Sequence, residues 1–158
     1  MLKPVKTQTL RAAGGTFAIV ASKYNARYVD AMLRAARAEI LRAGGTVKIV
    51  RVPGAYEIPI VAVRLARAAS LAPDAPLSAL ICLGVIIRGA TAHAQLIGEA
   101  VSHALMQIQM QYGVPVAHEV LLLENERQAA ERCLDRTHNR GAEAAQTALE
   151  MARVLRRL

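Results

Sequence analysis

The chain has 158 residues, 54% of them hydrophobic, with no Trp and one Phe. That length suits a single domain, residues 1–158, and no apolar run has the length of a membrane span or the flanks of a signal peptide. The net charge of +8 invites a nucleic-acid partner, but the arginines are scattered among acidic residues with no basic block and no aromatic interleaving.

The charge therefore reads as solvated helix faces that attract small anions, and neither nucleic acid nor a membrane is expected as a partner. A mean hydropathy of +0.26 is high for a small soluble monomer and points to apolar surface covered by another subunit. Cytoplasmic location is the expectation. Cys82 lies inside an apolar run and Cys133 sits where it could face solvent; they fit no metal spacing, so neither a disulfide nor a metal is predicted.

Residues 1–14 read as a polar arm. Thr16 to Ser22 is a buried strand, broken by Lys23-Tyr24-Asn25. From Arg27 to Ala43 the positions Val29, Met32, Leu33, Ala36, Ile40 and Leu41 recur at helical spacing, and Gly44-Gly45 stops the helix. Thr46 to Val52 alternates, as a strand nearer an edge does. Pro53 to Glu57 is a turn, Ile58 to Ala69 a helix, and Ala72 to Pro76 a loop. The nearly unbroken apolar run Ala79 to Ile87 suits a parallel strand buried on both faces. Arg88-Gly89-Ala90-Thr91 ends it, and a helix follows from about Ala92 to Tyr112, with Leu96, Ile97, Ala100, Val101, Ala104, Leu105 and Ile108 on its buried side. A fourth strand runs from Val114 to about Leu122; helices from about Asn125 to Leu134 and Asn139 to Arg157 close the chain. Alternating strands and helices predict an α/β fold, a parallel sheet with helices on both faces.

In such a sheet ligands bind beyond the carboxyl ends of the strands. Tyr24-Asn25, Gly54 to Glu57, Arg88 to Thr91 with His93, and Glu124-Asn125 all follow strands, so topology puts the four groups on one rim. The turn after the central strand, with a helix start behind it, is a place for an anion. His93 lies in that helix's first turn, and an imidazole exchanges protons near neutral pH. Each residue taken alone also has a plain structural role. Tyr24 caps the core, Glu57 favours a helix start, Gly89 and Thr91 make a turn, and Arg132 is an ordinary solvated arginine. Dinucleotide, P-loop and nucleophile-elbow fingerprints are missing. Spacing alone supports a small-molecule site with a phosphate and a titratable histidine.

The segments Ser22-Lys23-Tyr24-Asn25, Val52 to Pro59 (VPGAYEIP), Gly84 to His93 (GVIIRGATAH), Gly113 to Val116, Glu124-Asn125 and Asn139 to Ala145 (NRGAEAA) come in order, and from about Thr16 to Leu155 the chain resembles the lumazine synthases. The resemblance implies a three-layer sandwich with a flavodoxin-like four-stranded parallel sheet. It also implies a transferase of riboflavin biosynthesis that joins 5-amino-6-(D-ribitylamino)uracil to 3,4-dihydroxy-2-butanone 4-phosphate. The products are 6,7-dimethyl-8-ribityllumazine, phosphate and water, and no cofactor is needed. Matched residue by residue, it gives Tyr24 stacking on the pyrimidine, Ala55, Tyr56 and Glu57 on the ribityl chain, and Val85, Ile86 and Ile87 on the pocket floor. Ala90 and Thr91 would take the phosphate, Arg132 would close on it from a neighbouring subunit, and His93 would transfer protons.

Several positions depart from the family pattern. Ala90 replaces a common Glu, and His118 replaces a Phe that packs over the pyrimidine from the adjacent subunit. Glu119 replaces a Gly, Leu122-Leu123 a Thr pair, and the loop Leu134 to His138 lacks the glycines of shell-forming members. The resemblance implies a homo-oligomer built from pentamers. The altered loop favours a decamer over a sixty-subunit shell. The departures together suggest a second lineage within the family, with a low-activity lumazine or flavin binder as the alternative function.

Overall fold

A computed structural model describes residues 15–158, and the predicted arm lies outside them. The elements run β1 (Thr16–Ser22), α1 (Ala26–Arg42), β2 (Thr46–Val52), a 3-10 turn (Ala55–Glu57), α2 (Ile58–Leu71), β3 (Ala79–Ile87), α3 (His93–Tyr112), β4 (Val116–Leu123), α4 (Glu126–Cys133) and α5 (Arg140–Leu155). The strands form one parallel sheet in the order β2-β1-β3-β4, with helices on both sides, a flavodoxin-like α/β fold. No helix among the described residues is long and apolar enough to cross a membrane.

Two-sided burial explains the sequence pattern. Along β1, Phe17, Ile19 and Ala21 enter a core beneath α1, α4 and α5, whereas Ala18 and Val20 enter a second core beneath α2 and α3. Ile81, Leu83 and Val85 of β3 share the first core, and Leu80 and Cys82 the second. Both faces of these central strands are covered, so their sequences are continuously apolar. β2 is an edge strand with Lys48 and Ile49 exposed, in keeping with its alternating sequence.

Four expectations about burial need correction. Cys133 is fully buried in the α1/α4/α5 core. Leu41 is exposed because the inward stripe of α1 runs through Tyr28, Val29, Met32, Ala36 and Ile40, and the next residue is turned away from it. Leu96, 62% exposed, and Ala100, also exposed, are not on the buried side: α3 turns Ala94, Val101, Leu105 and Ile108 to the sheet, and Leu96 and Ala100 face a surface cavity instead.

The NRGAEAA segment has a structural basis. Asn139 caps α5, its Oδ1 accepting from the N–H groups of Gly141 (2.9 Å) and Ala142 (3.3 Å), while its Nδ2 donates to the Cys133 carbonyl (2.5 Å). Gly141 lets α5 cross α1 closely, since a Cβ there would lie 2.1 Å from the Met32 carbonyl oxygen.

Candidate active site

The parallel sheet brings four strand ends to one rim, and long-range contacts fix the loops there. After β1, the Lys23 N–H donates to the Val52 carbonyl (2.8 Å) and the Tyr24 N–H to the Pro53 carbonyl (3.0 Å). Arg51 reaches across from β2 to the carbonyls of Ala21 (3.2 Å) and Ser22 (2.9 Å) and pairs with Asp30 on α1 (2.8 Å). Asn25 sits at φ 55°, a left-handed conformation that asparagine tolerates better than most side chains. Its Nδ2 donates to the Val85 carbonyl at 2.8 Å, so the first loop is fastened to the end of β3.

Between this loop, the 3-10 turn and α3 lies an open cavity of about 590 Å³. Tyr24, Ala55, Tyr56, Glu57 and His93 all line it, with Leu96, Ile97 and Ala100 as an apolar wall. Residues 24 and 93 therefore meet although two strands and two helices separate them in sequence. Gly54 is required by the approach of Tyr24, whose Cδ2 lies 2.9 Å from where a Cβ would be placed. Glu57 folds back so that its Oε2 accepts from the Gly54 N–H (2.8 Å), which holds the carboxylate at the cavity edge. Tyr24 and Tyr56 are 68% and 65% exposed, a large aromatic area available to a planar ligand.

The turn from Arg88 to Ala92 is exposed and leads directly into α3. The Thr91 hydroxyl accepts from the His93 N–H (3.4 Å). Ala90 and Thr91 stand beside the cavity in sequence without forming its wall. Val85 is buried and Ile86 and Ile87 are half-buried at the end of β3, also outside that wall.

Two expected site residues lie apart within one chain. Arg132 is exposed in the last turn of α4, which packs on α1 and α5 across the sheet from His93. His118 lies on β4, where its Nδ1 accepts from the Val120 N–H (3.1 Å). The proton of the neutral ring is thereby left on Nε2, which donates to the Ser102 hydroxyl (2.7 Å), and Ser102 in turn donates to the Gly98 carbonyl (2.7 Å). Burial lowers the His118 pKa and so favours this neutral form.

Glu119, next to it, points to the opposite face and is buried. Arg140 grips it with two hydrogen bonds, Nε to Oε2 at 3.1 Å and Nη2 to Oε1 at 3.0 Å. Burial still wins over the attraction of Arg140 and pushes the Glu119 carboxyl up to about 6. The fasteners Asn25, Arg51 and Arg140 carry no local sequence signal of these roles; each acts on a partner 21 to 60 residues away.

Burial pushes the thiols of Cys82 and Cys133 to about 12 and about 11, so both stay protonated and neither is a ready nucleophile. Among the described residues no three His, Cys, Asp or Glu side chains gather as a metal site. The cavity thus supplies aromatic surface, a carboxylate and an imidazole near the exposed turn that leads into α3.

Comparison with known proteins agrees with this chemistry. The family model for 6,7-dimethyl-8-ribityllumazine synthase matches residues 14–156. A protein of that name from Desulfotalea psychrophila (strain LSv54 / DSM 12343) is 42% identical over 149 residues, covering 92% of each chain. Another, from Xylella fastidiosa (strain M12), is 42% identical over 152 residues, covering 94% of this chain and 95% of its own. The chain belongs to the 6,7-dimethyl-8-ribityllumazine synthase family.

Proposed function

We propose that the protein condenses 5-amino-6-(D-ribitylamino)uracil with 3,4-dihydroxy-2-butanone 4-phosphate to give 6,7-dimethyl-8-ribityllumazine, phosphate and water. Convergence of Tyr24, Ala55, Tyr56, Glu57 and His93 on one cavity at the carboxyl rim carries this reading. Tyr24 stacks on the pyrimidine, and Ala55, Tyr56 and Glu57 meet the ribityl chain. The main chain of Val85, Ile86 and Ile87 hydrogen-bonds the ring; the Val85 carbonyl, already accepting from Asn25, has a second lone pair to offer. Ala90 and Thr91 hold the phosphate through free N–H groups ahead of α3.

The amine attacks the ketone to form an imine and expels a first water, phosphate leaves, and ring closure expels a second water. These steps need two substrates held together, an anion site and proton transfer, which His93 performs. Replacing His93 by Ala is expected to lower kcat by about 10²-fold or more with assembly unaffected. An unchanged rate in a correctly assembled variant removes His93 from the mechanism.

The site is completed between subunits. Arg132 faces away from its own chain's cavity, as a residue serving a neighbour's phosphate would, and His118 joins the neighbour's pyrimidine wall in place of an aromatic. Exposed Ile60, Met106 and Met110 on α2 and α3 offer apolar surface for a pentameric ring. The glycine-free loop from Leu134 to His138 favours pairing of two rings into a decamer over closure into a shell. The enzyme works in the cytoplasm, where a phosphorylated substrate is retained by its charge.

A further inference from the structure

The phosphate turn runs from the end of β3 into α3, where the Thr91 hydroxyl accepts from the His93 N–H (3.4 Å). Its hydrogen bonds to the end of β4 come from Arg88: the N–H donates to the Leu123 carbonyl (2.8 Å), and Nε donates to Glu124 Oε1 (3.0 Å). Gly89 adds no packing, for a Cβ there would find nothing within 4 Å, and Ala90 and Thr91 are exposed. Glu124 itself is held in place. Its N–H donates to Gln128 Oε1 (2.9 Å), while the Gln128 N–H donates to Asn125 Oδ1 (3.0 Å) at the start of α4.

We infer that Glu124 is a positioning residue for phosphate: through Arg88 it fixes the Gly89–Thr91 turn against the end of β4, and it sets affinity for the phosphorylated substrate without touching it. Between β3 and α3, the backbone bond of Arg88 fixes one point of the turn against β4. The side-chain bond adds a second point, and an array of N–H donors must be fixed in direction to receive an anion. The pair is partly exposed, at 38% and 56% for the two side chains, so its effect is geometric and modest in size.

This inference rests on the proposed condensation, and inorganic phosphate allows it to be tested apart from turnover. In the assembled enzyme, Glu124→Ala is expected to raise the KM for the butanone phosphate roughly two- to fivefold, more than it changes kcat or the pyrimidine KM. Titration calorimetry with inorganic phosphate should weaken by the same factor. Glu124→Gln keeps an acceptor for Arg88 Nε and should lose less. Combining Glu124→Ala with Arg88→Gln should cost little beyond Arg88→Gln alone. Equal rises in both KM values, or unaltered phosphate affinity together with a lower melting temperature, would overturn the assignment. Were the wild type to show no turnover while Glu124→Ala still weakened phosphate binding, the condensation would be refuted and the positioning role upheld.

Discussion

Burying Glu119 beneath the Arg140 fork gives that residue a pH signature. Its carboxyl titrates near 6 in the folded chain against an ordinary value of 4.5, so on raising the pH the unfolded chain loses this proton first. Its contribution to stability is complete below about pH 4.5 and is lost as the pH rises through 6, by about 2 kcal/mol in all. Glu119→Gln keeps an acceptor for Arg140 but has no proton to lose. The stability of this variant relative to wild type is expected to rise by about 2 kcal/mol between pH 4 and pH 7. Urea unfolding at fixed protomer concentration measures the difference; a gap that stays constant with pH contradicts it.

At the scale of elements, the α1–α5 crossing depends on a missing side chain. In Gly141→Ala the new Cβ would meet the main-chain oxygen of Met32, which cannot rotate aside as a side chain would. The two helices must separate, at a cost of about 3 kcal/mol, and thermal unfolding should show the loss. An unchanged melting temperature would mean that the crossing is looser than described. The elements themselves were largely legible in the sequence. β3 was readable to its end residues because two-sided burial writes a continuous apolar run bounded by polar residues. β4 begins at Val116, later than the apolar pattern predicts, since Pro115 has no N–H to pair in the ladder. Leu41, Leu96 and Cys133 were misplaced for a shared reason. Periodicity marks which residues are apolar; it does not record whether a cavity, solvent or the core receives them.

For the whole molecule, parallel topology made much of the candidate site legible, because it sends every strand's carboxyl end to the same rim. Tyr24, Glu57 and His93 could be grouped on that basis, and they do share a cavity. The clamps behind them could not, since Arg51 to Ser22 and Arg88 to Glu124 depend on register between distant strands. Arg132 and His118 do not line their own chain's cavity, and the proposed two-subunit site gives Arg132 a specific test. His93→Ala and Arg132→Ala subunits, each weakly active alone, should regain activity when unfolded together and reassembled. Random mixing places both intact residues in roughly a quarter of the sites. Activity that is no more than the sum of the two parents would place Arg132 outside the neighbour's site.

The most direct measurement is turnover by the purified wild-type protein given both substrates, followed by lumazine fluorescence against an enzyme-free control for the spontaneous condensation. Product is expected at a rate well above that control, saturable in each substrate and released with phosphate in equal amount. Product at the background rate from protein that still binds lumazine would contradict it.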